Sequence, residues 1–361
     1  MENSSANLLE ALAALSREFG TGDYVKAGGG NSSAKTAETI YVKPSGINMR
    51  DARAQDFVAI DRAKLASLYA ATPPDEADPR ERLVKELTLA AVRKESPGRP
   101  SVEAPLHDSF QATFVMHTHP ATVNGMTCAR DGRSACAKLF GDAMWIEYTD
   151  PGYVLAMRLR QRLGEYVSQR GREPAAVFLQ NHGLIVAEDT PDDIRRTHKT
   201  IKERIEDFYG RAGVRTELRI GPMPSKDTVD AVSARLREAL GHDAAHIRAS
   251  GPFAVAGGPI SPDHVVYARA RALVGEATAR DVKTFRGRHG YAPRVIACSA
   301  GVFAVGATGK SAAAAMELAM DAALVEQLAQ AFGGIRYMDQ RAVNFIDNWE
   351  VEAYRRSRTS S

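Results

Sequence analysis

The run from Ala112 to Pro120 reads Ala-Thr-Phe-Val-Met-His-Thr-His-Pro and leaves the chain few options there. Thr113 to Met116 is β-branched or bulky and apolar, the pattern of a strand, and it runs into a proline. Alternate residues of a strand share a face, so His117 and His119 aim two imidazoles at one spot while Thr118 faces away. A second apolar stretch, Val177 to Val186, is interrupted at Asn181-His182-Gly183 and could supply a third nitrogen. A lone strand histidine is usually a satisfied core or edge residue. Two on one face are harder to absorb, because each brings a buried polar group that needs a partner. Three imidazoles with an open position are the ligand set of a catalytic divalent metal, not of a closed structural site.

The rest of the composition is that of an ordinary globular chain. At 361 residues it is long enough for two domains or one large one, with 44% hydrophobic and 25% charged residues. A net charge of +3 and the lack of a Lys/Arg block speak against nucleic acid as a partner. No apolar run approaches the length of a membrane span. The N-terminus has no basic region ahead of its short apolar stretch, so it reads as a capped helix and not as a signal peptide. Cys128, Cys136 and Cys298 form no CxxC pair, and their odd number suits reduced thiols in a cytoplasm.

Along the chain, helical and strand-like segments alternate. Apolar periodicity predicts helices over 5–19, 61–71, 79–94, 102–111, 152–170 and 191–211. A stretch at 212–225 holds two glycines, two prolines and no periodic pattern, so the domain boundary is expected there, giving domains 1–212 and 213–361. The second region predicts helices at 226–240 and 311–332 and strands near 264–267, 293–298 and 302–305.

Three turns ahead of the histidines offer short polar groups. Gly28-Gly29-Gly30-Asn31-Ser32-Ser33 could cradle a phosphate, although a plain turn between strands looks the same. Lys43-Pro44-Ser45-Gly46 is a second such turn. Ser101 can cap the helix that follows, whose N-terminus favours an anion. Glu103 in that first turn is either a dipole-compensating carboxylate or a general base beside the metal. Gly306-Ala-Thr-Gly-Lys-Ser311 imitates a phosphate-binding loop but has Ala304 where the first glycine belongs, so it reads as a turn and a helix start.

Gly30-Asn31, Pro44-Ser45-Gly46, Ser101-Val102-Glu103 followed by His107, His117-Thr118-His119 and Asn181-His182-Gly183 occur in that order over residues 5–212. This series resembles the class II aldolase/adducin family, which includes the fuculose- and rhamnulose-phosphate aldolases and ribulose-phosphate 4-epimerase. Val102 departs from the second serine that the aldolases usually carry, which removes one phosphate hydroxyl. Gly258-Pro-Ile-Ser-Pro-Asp-His264, Gly301-Val-Phe-Ala-Val-Gly306 and Phe345-Ile-Asp-Asn-Trp349 resemble the long aldolase portion of bifunctional rhamnulose-phosphate aldolase/alcohol dehydrogenases. No GxGxxG occurs here, so the dehydrogenase half is expected to be absent.

The resemblance implies a three-layer α/β/α domain with a mostly antiparallel central sheet, plus a smaller C-terminal α/β accessory domain. It implies a divalent metal on His117, His119 and His182, zinc first, with manganese, iron or cobalt as alternatives. Glu103 would shuttle the proton at the carbon that becomes the carbanion, and Gly30, Asn31, Ser45, Gly46 and Ser101 would hold the substrate phosphate. His264, beside Asp263, is an accessory candidate, with a satisfied loop histidine as the plainer reading. The expected activity is retro-aldol cleavage of a ketose 1-phosphate of the rhamnulose or fuculose type. The same scaffold runs 4-epimerisation and sugar-phosphate dehydration, and a metal-dependent hydroxy-acid decarboxylase or a non-catalytic adducin-like binding module also stays open. Expected partners are a small sugar phosphate and further copies of the chain, a tetramer first, with no nucleic acid or membrane, in the cytoplasm.

Overall fold

A computed structural model describes residues 2–96 and 98–349. The chain divides into two compact units. One takes residues up to 123 together with 132–207; the other takes 124–131 and the described residues from 208 onward.

The first unit opens with helix α1 (Glu2–Glu18) and continues through strands β1 (Asn31–Lys35), β2 (Thr39–Val42) and β3 (Val58–Asp61). Helices α2 (Arg62–Ala70), α3 (Ala77–Ala90) and α4 (Ala104–Asp108) lead to β4 (Phe114–Thr118). Next along the chain come α5 (Ala121–Thr127), whose residues from Asn124 belong to the second unit, α6 (Gly132–Leu139), β5 (Met144–Ile146), α7 (Tyr153–Arg170), β6 (Ala176–Leu179), β7 (Gly183–Glu188) and α8 (Pro191–Ala212), whose last residues from Phe208 belong to the second unit. The strands form one seven-stranded sheet in the order β3-β2-β1-β4-β7-β6-β5. Every pairing in it is antiparallel except β5 with β6. The expected mixed α/β domain with a mostly antiparallel sheet is therefore what the chain forms.

The central strand β4 is buried along its whole length, as a strand covered on both faces must be. On one face Val115, Val177, Ile185 and Ala187 pack with Leu106 and Phe110 around α4 and with Leu155, Leu159 and Leu163 of α7. At the β2–β3 end Ile40, Val42, Val58 and Ile60 pack against Leu65, Leu68 and Val84 of α2 and α3. Helix α8 buries Ile194, His198, Ile201 and Ile205, a stripe at helical spacing, and stacks His198 on Phe19 just beyond α1 at 4.2 Å between ring centroids. This gives helices on both faces of the sheet.

The second unit contains α9 (Lys226–Leu240), β8 (His246–Ser250), α10 (Pro262–Ala268), β9 (Leu273–Val274), α11 (Ala279–His289), β10 (Val295–Cys298), β11 (Gly301–Gly306), α12 (Gly309–Ala329) and α13 (Gln340–Asn348). Its four strands are ordered β8-β11-β10-β9. Val232, Leu236, Val282 and Phe285 of α9 and α11 pack on Ile296, Phe303 and Val305 of the sheet. The strand expected near 264–267 is instead part of α10. Ser261 is its N-cap and Pro262 its first residue, and a short Val-Val-Tyr run cannot be told from a buried helix by periodicity. The imitation phosphate loop is a helix start: Thr308 and Ser311 form a reciprocal capping box at the head of α12.

One buried cation ties the first unit together. The Lys35 side chain donates to three backbone oxygens, of His107, Phe110 and Ala112, at 3.0, 3.1 and 2.9 Å. Burial pulls its ammonium from the ordinary 10.5 down to about 7, with nearby Asp108 pushing the other way. Between those two values the unfolded chain holds a proton on this amine that the folded chain has released, so stability climbs with pH across that window. Urea unfolding of wild type and Lys35→Met should show a stability difference that is flat below about pH 6.5 and moves in favour of wild type from pH 7 to 10. A difference independent of pH throughout would show that Lys35 stays charged in the fold.

Candidate metal centre

Sheet register brings the three histidines together. His117 lies in β4, with Asn31 of β1 opposite it on one side and Ile185 of β7 on the other. His119 follows β4 directly, and its backbone N–H donates to Tyr24 O at 2.7 Å. His182 sits in the short turn joining β6 to β7, where Leu179 pairs with Gly183. Because Thr118 pairs with Leu184, the end of β4 and this turn are neighbours. Asn181 takes φ 52°, a left-handed conformation that asparagine accepts more readily than most residues.

The Nε2 atoms of His117 and His119 are 3.2 Å apart, and one nitrogen from each of the three rings falls within a 4.8 Å cluster. All three residues are buried. Metal–nitrogen bonds of about 2.0–2.1 Å place tetrahedral ligands about 3.3 Å from each other, so the His117–His119 spacing suits two ligands of one cation. Two imidazole lone pairs facing at this distance repel unless a proton or a cation lies between them. The residues present therefore fit a divalent metal.

Glu103 stands behind His117. Its Oε1 is 3.1 Å from His117 Nδ1, a contact too poorly aligned to count as a hydrogen bond, and its Oε2 accepts from Asn31 Nδ2 at 3.0 Å. Glu103 is the N-cap of α4 but makes no side-chain cap there, so its carboxylate is turned toward the histidines and not spent on the helix end. Its own N–H donates to Ser101 Oγ at 3.2 Å. Ser45 N donates to Arg99 O and Ser45 Oγ to Pro100 O, so this turn is pinned to the segment that carries Ser101. Gly30 takes φ 73°, and a Cβ there would meet Val25 Cγ1 at 2.4 Å and His117 O at 3.0 Å. Gly46 closes the same turn as Ser45.

Two further buried groups, His107 and Lys43, were not singled out for chemistry in the sequence. His107, one helical turn beyond Glu103, is fully buried and bonds Ser33 Oγ through Nδ1 at 2.9 Å. Burial drives its imidazole down to about 3 against an opposing pull from Glu103, so the ring is neutral. Lys43 is buried beside the Ser45 turn and donates to Ile47 O at 2.7 Å. The signal for Lys43 was a lysine inside a Pro-Ser-Gly turn; for His107 it was the four-residue step from Glu103. His264 belongs to the second unit, where Ser261 Oγ meets its Nδ1 at 2.8 Å and Asp321 Oδ2 its Nε2 at 3.2 Å. Cys128 is a buried thiol pushed up to about 12 by its surroundings, in keeping with an apolar filler.

Gly183 is a sensitive point of this geometry. A Cβ there would lie 2.5 Å from His119 Cδ2 and 2.5 Å from Thr118 O. One contact is a proposed ligand ring and the other is backbone, so neither gives way cheaply. Gly183→Ala should cost about 1–3 kcal/mol of stability and weaken the affinity for any divalent cation bound there through displacement of the His119 ring. Zinc competition titration with thermal melting checks this; unchanged affinity would show that His119 does not depend on that approach.

The profile of the family described as the Class II Aldolase and Adducin N-terminal domain matches residues 10–209. A Bacillus subtilis protein, YuxG, named as an uncharacterized oxidoreductase, is 26% identical over 191 residues, covering 50% of this chain and 26% of its own length. The chain thus spans about a quarter of that relative. The N-terminal class II aldolase domain of a conserved Thermoplasma acidophilum protein is 26% identical, with a TM-score of 0.48, covering 55% of this chain and 92% of that one. The L-fuculose-1-phosphate aldolase of Thermus thermophilus is 14% identical, with a TM-score of 0.37, covering 56% and 95%. With the profile spanning more than half of its residues, the chain belongs to the class II aldolase and adducin N-terminal domain family.

Proposed function

We propose that this chain is a divalent-metal-dependent aldolase that splits a ketose 1-phosphate of the rhamnulose or fuculose type by a retro-aldol reaction. The observation that carries the reading is the meeting of three buried imidazoles with the Glu103 carboxylate, 3.1 Å from His117. A binding module gains nothing from burying such a set, whose desolvation must be offset by a cation. Membership of the family supports an enzyme of lyase or related type.

In this reading His117, His119 and His182 hold the metal, and three neutral imidazoles favour zinc over magnesium or calcium. When bound, the cation supplies Lewis acidity that draws electrons from the substrate carbonyl and offsets the charge left by carbon–carbon cleavage. Glu103 moves the proton at the carbon that carries that charge. Its burial keeps bulk water from competing for the proton. Gly30, Asn31, Ser45, Gly46 and Ser101 hold the phosphate. Asn31 gives one amide hydrogen to Glu103 and keeps a second, while Ser101 Oγ accepts from Glu103 N and keeps its hydroxyl hydrogen to donate. Ser45 must release Pro100 O to contribute its hydroxyl. We further propose a cytoplasmic homo-oligomer, a tetramer first, with the second unit as an accessory domain.

Elemental analysis of the purified protein, then a screen of ketose 1-phosphates for release of an aldehyde and a three-carbon ketone phosphate, tests the reading. Formation of a stereoisomer without cleavage would replace it with epimerisation. His119→Ala should lose both metal and activity. Glu103→Gln should retain metal and melting temperature, while turnover falls by about 10² or more. If the Gln variant still exchanges the substrate α-proton with deuterated solvent at the wild-type rate, Glu103 is not the proton shuttle.

A further inference from the structure

We propose that His107 is a positioning residue for Glu103: it presents a protonated Nε2 to the carboxylate, and Ser33 fixes the tautomer that makes this possible. Glu103 and His107 are four residues apart at the head of α4, so their side chains rise on one face of the helix. A carboxylate oxygen of Glu103 and ring nitrogens of His107 and His117 fall within a 4.8 Å cluster. His107 is fully buried, its Nδ1 is engaged by Ser33 Oγ at 2.9 Å, and its Nε2 has no hydrogen-bond partner among the described residues. A buried polar nitrogen without a partner is costly, and the anionic acceptor in this cluster is the Glu103 carboxylate.

The tautomer follows from the charges. If Nδ1 carried the hydrogen and donated to Ser33, Nε2 would turn a lone pair toward an anionic carboxylate, which repels it. If Ser33 donates its hydroxyl hydrogen to Nδ1, Nε2 carries the hydrogen and the same proximity becomes attraction. Strand register reinforces this arrangement, because Asn31 and Ser33 share a face of β1 and reach Glu103 and His107 respectively. Glu103 is thereby held by a hydrogen bond from Asn31 on Oε2 and, in this proposal, attracted by the His107 N–H from the helix side without a formed hydrogen bond. In the wider reading His107 does not touch substrate; it keeps the carboxylate aimed at the reacting carbon.

The effect on turnover rests on Glu103 being the proton shuttle, whereas the tautomer does not, so the two are tested apart. The first measurement uses the full-length protein without substrate, labelled with ¹⁵N in its histidine rings. His107 should show a protonated Nε2 and an unprotonated Nδ1, assigned by the loss of its signals in His107→Gln. Glu103→Gln should shift the Nε2 signal, and Ser33→Ala should bring in signal from the Nδ1-protonated form. A wild-type His107 protonated on Nδ1, or an Nε2 signal indifferent to Glu103→Gln, would overturn the proposal whatever the reaction is. The second measurement is kinetic. His107→Phe should lower kcat by about 10–100-fold with KM and bound zinc near wild type. His107→Gln, which keeps an N–H donor, should recover most of that loss. A Phe variant that fails to fold leaves the decision to the tautomer and the Gln variant, and equal kcat losses in Phe and Gln variants would remove the donor role.

Discussion

One face of a five-residue strand organises everything on the helix side of the site. Along β1, Asn31, Ser33 and Lys35 alternate onto the same face and reach, in turn, the Glu103 carboxylate, the His107 ring and the backbone that leaves α4. The opposite face belongs to α1, where Ser32 Oγ meets Ser16 Oγ at 2.7 Å. Helix α4 is only five residues long and has little helical stability of its own. Its polar side is therefore oriented by β1, while its apolar side packs on α7. A one-residue slip of β1 against β4 would exchange the two faces and strip Glu103, His107 and Lys35 of their partners together.

The histidines depend on a second constraint, the antiparallel pairing of β4 with β7. That pairing puts the end of one strand beside the turn that starts the other, so His117 and His119 meet His182 although some sixty residues of α5, α6, β5 and α7 intervene. Crowding is the cost of this convergence. The Gly183 position has no room for a Cβ beside the His119 ring, and Gly30 is equally confined beside His117 O. At Gly183 backbone and imidazole compete for the same space, a packing demand, whereas Gly30 combines crowding with a φ of 73° that glycine adopts freely.

Much of this was legible in the sequence, for identifiable reasons. Period-two alternation is rigid in strands, so His117 and His119 could be assigned one face, and the Asn181-His182-Gly183 interruption marked a turn at the edge of an apolar run. The helices at 152–170, 191–211 and 226–240 have strong periodicity, and α7, α8 and α9 follow it closely. What local pattern could not supply was pairing. The stretch after Gly30 read as a turn with short polar groups for an anion, whereas Asn31 to Lys35 is a buried strand whose polar side chains mostly face inward to partners more than seventy residues away. Val265 and Val266 looked like strand residues because β-branching outweighs a Ser-Pro helix start in a short window. The partners of His107 and Lys35 are likewise set by tertiary contact and leave no local trace.

Two buried histidine sites, one a group of three rings and the other a single ring, differ in geometry and not in residue type. In the second unit His264 is spanned by a serine on one nitrogen and an aspartate on the other, and its hydrogen-bonding capacity is used up by side chains already there. Such a ring is complete without a ligand, which matches the plainer reading of a satisfied histidine. Around His117, His119 and His182 the nitrogens face one another, and the nearest carboxylate addresses His117 from behind, at Nδ1, leaving Nε2 for the cluster interior. With the Nε2 atoms of His117 and His119 only 3.2 Å apart, two facing lone pairs would repel, and a shared proton or a cation between them relieves that. A carboxylate 3.1 Å behind one ring stands where the outer partner of a metal ligand stands. A divalent cation is a group that this arrangement of nitrogens fits, and the polar face of β1 positions the Glu103 carboxylate behind it.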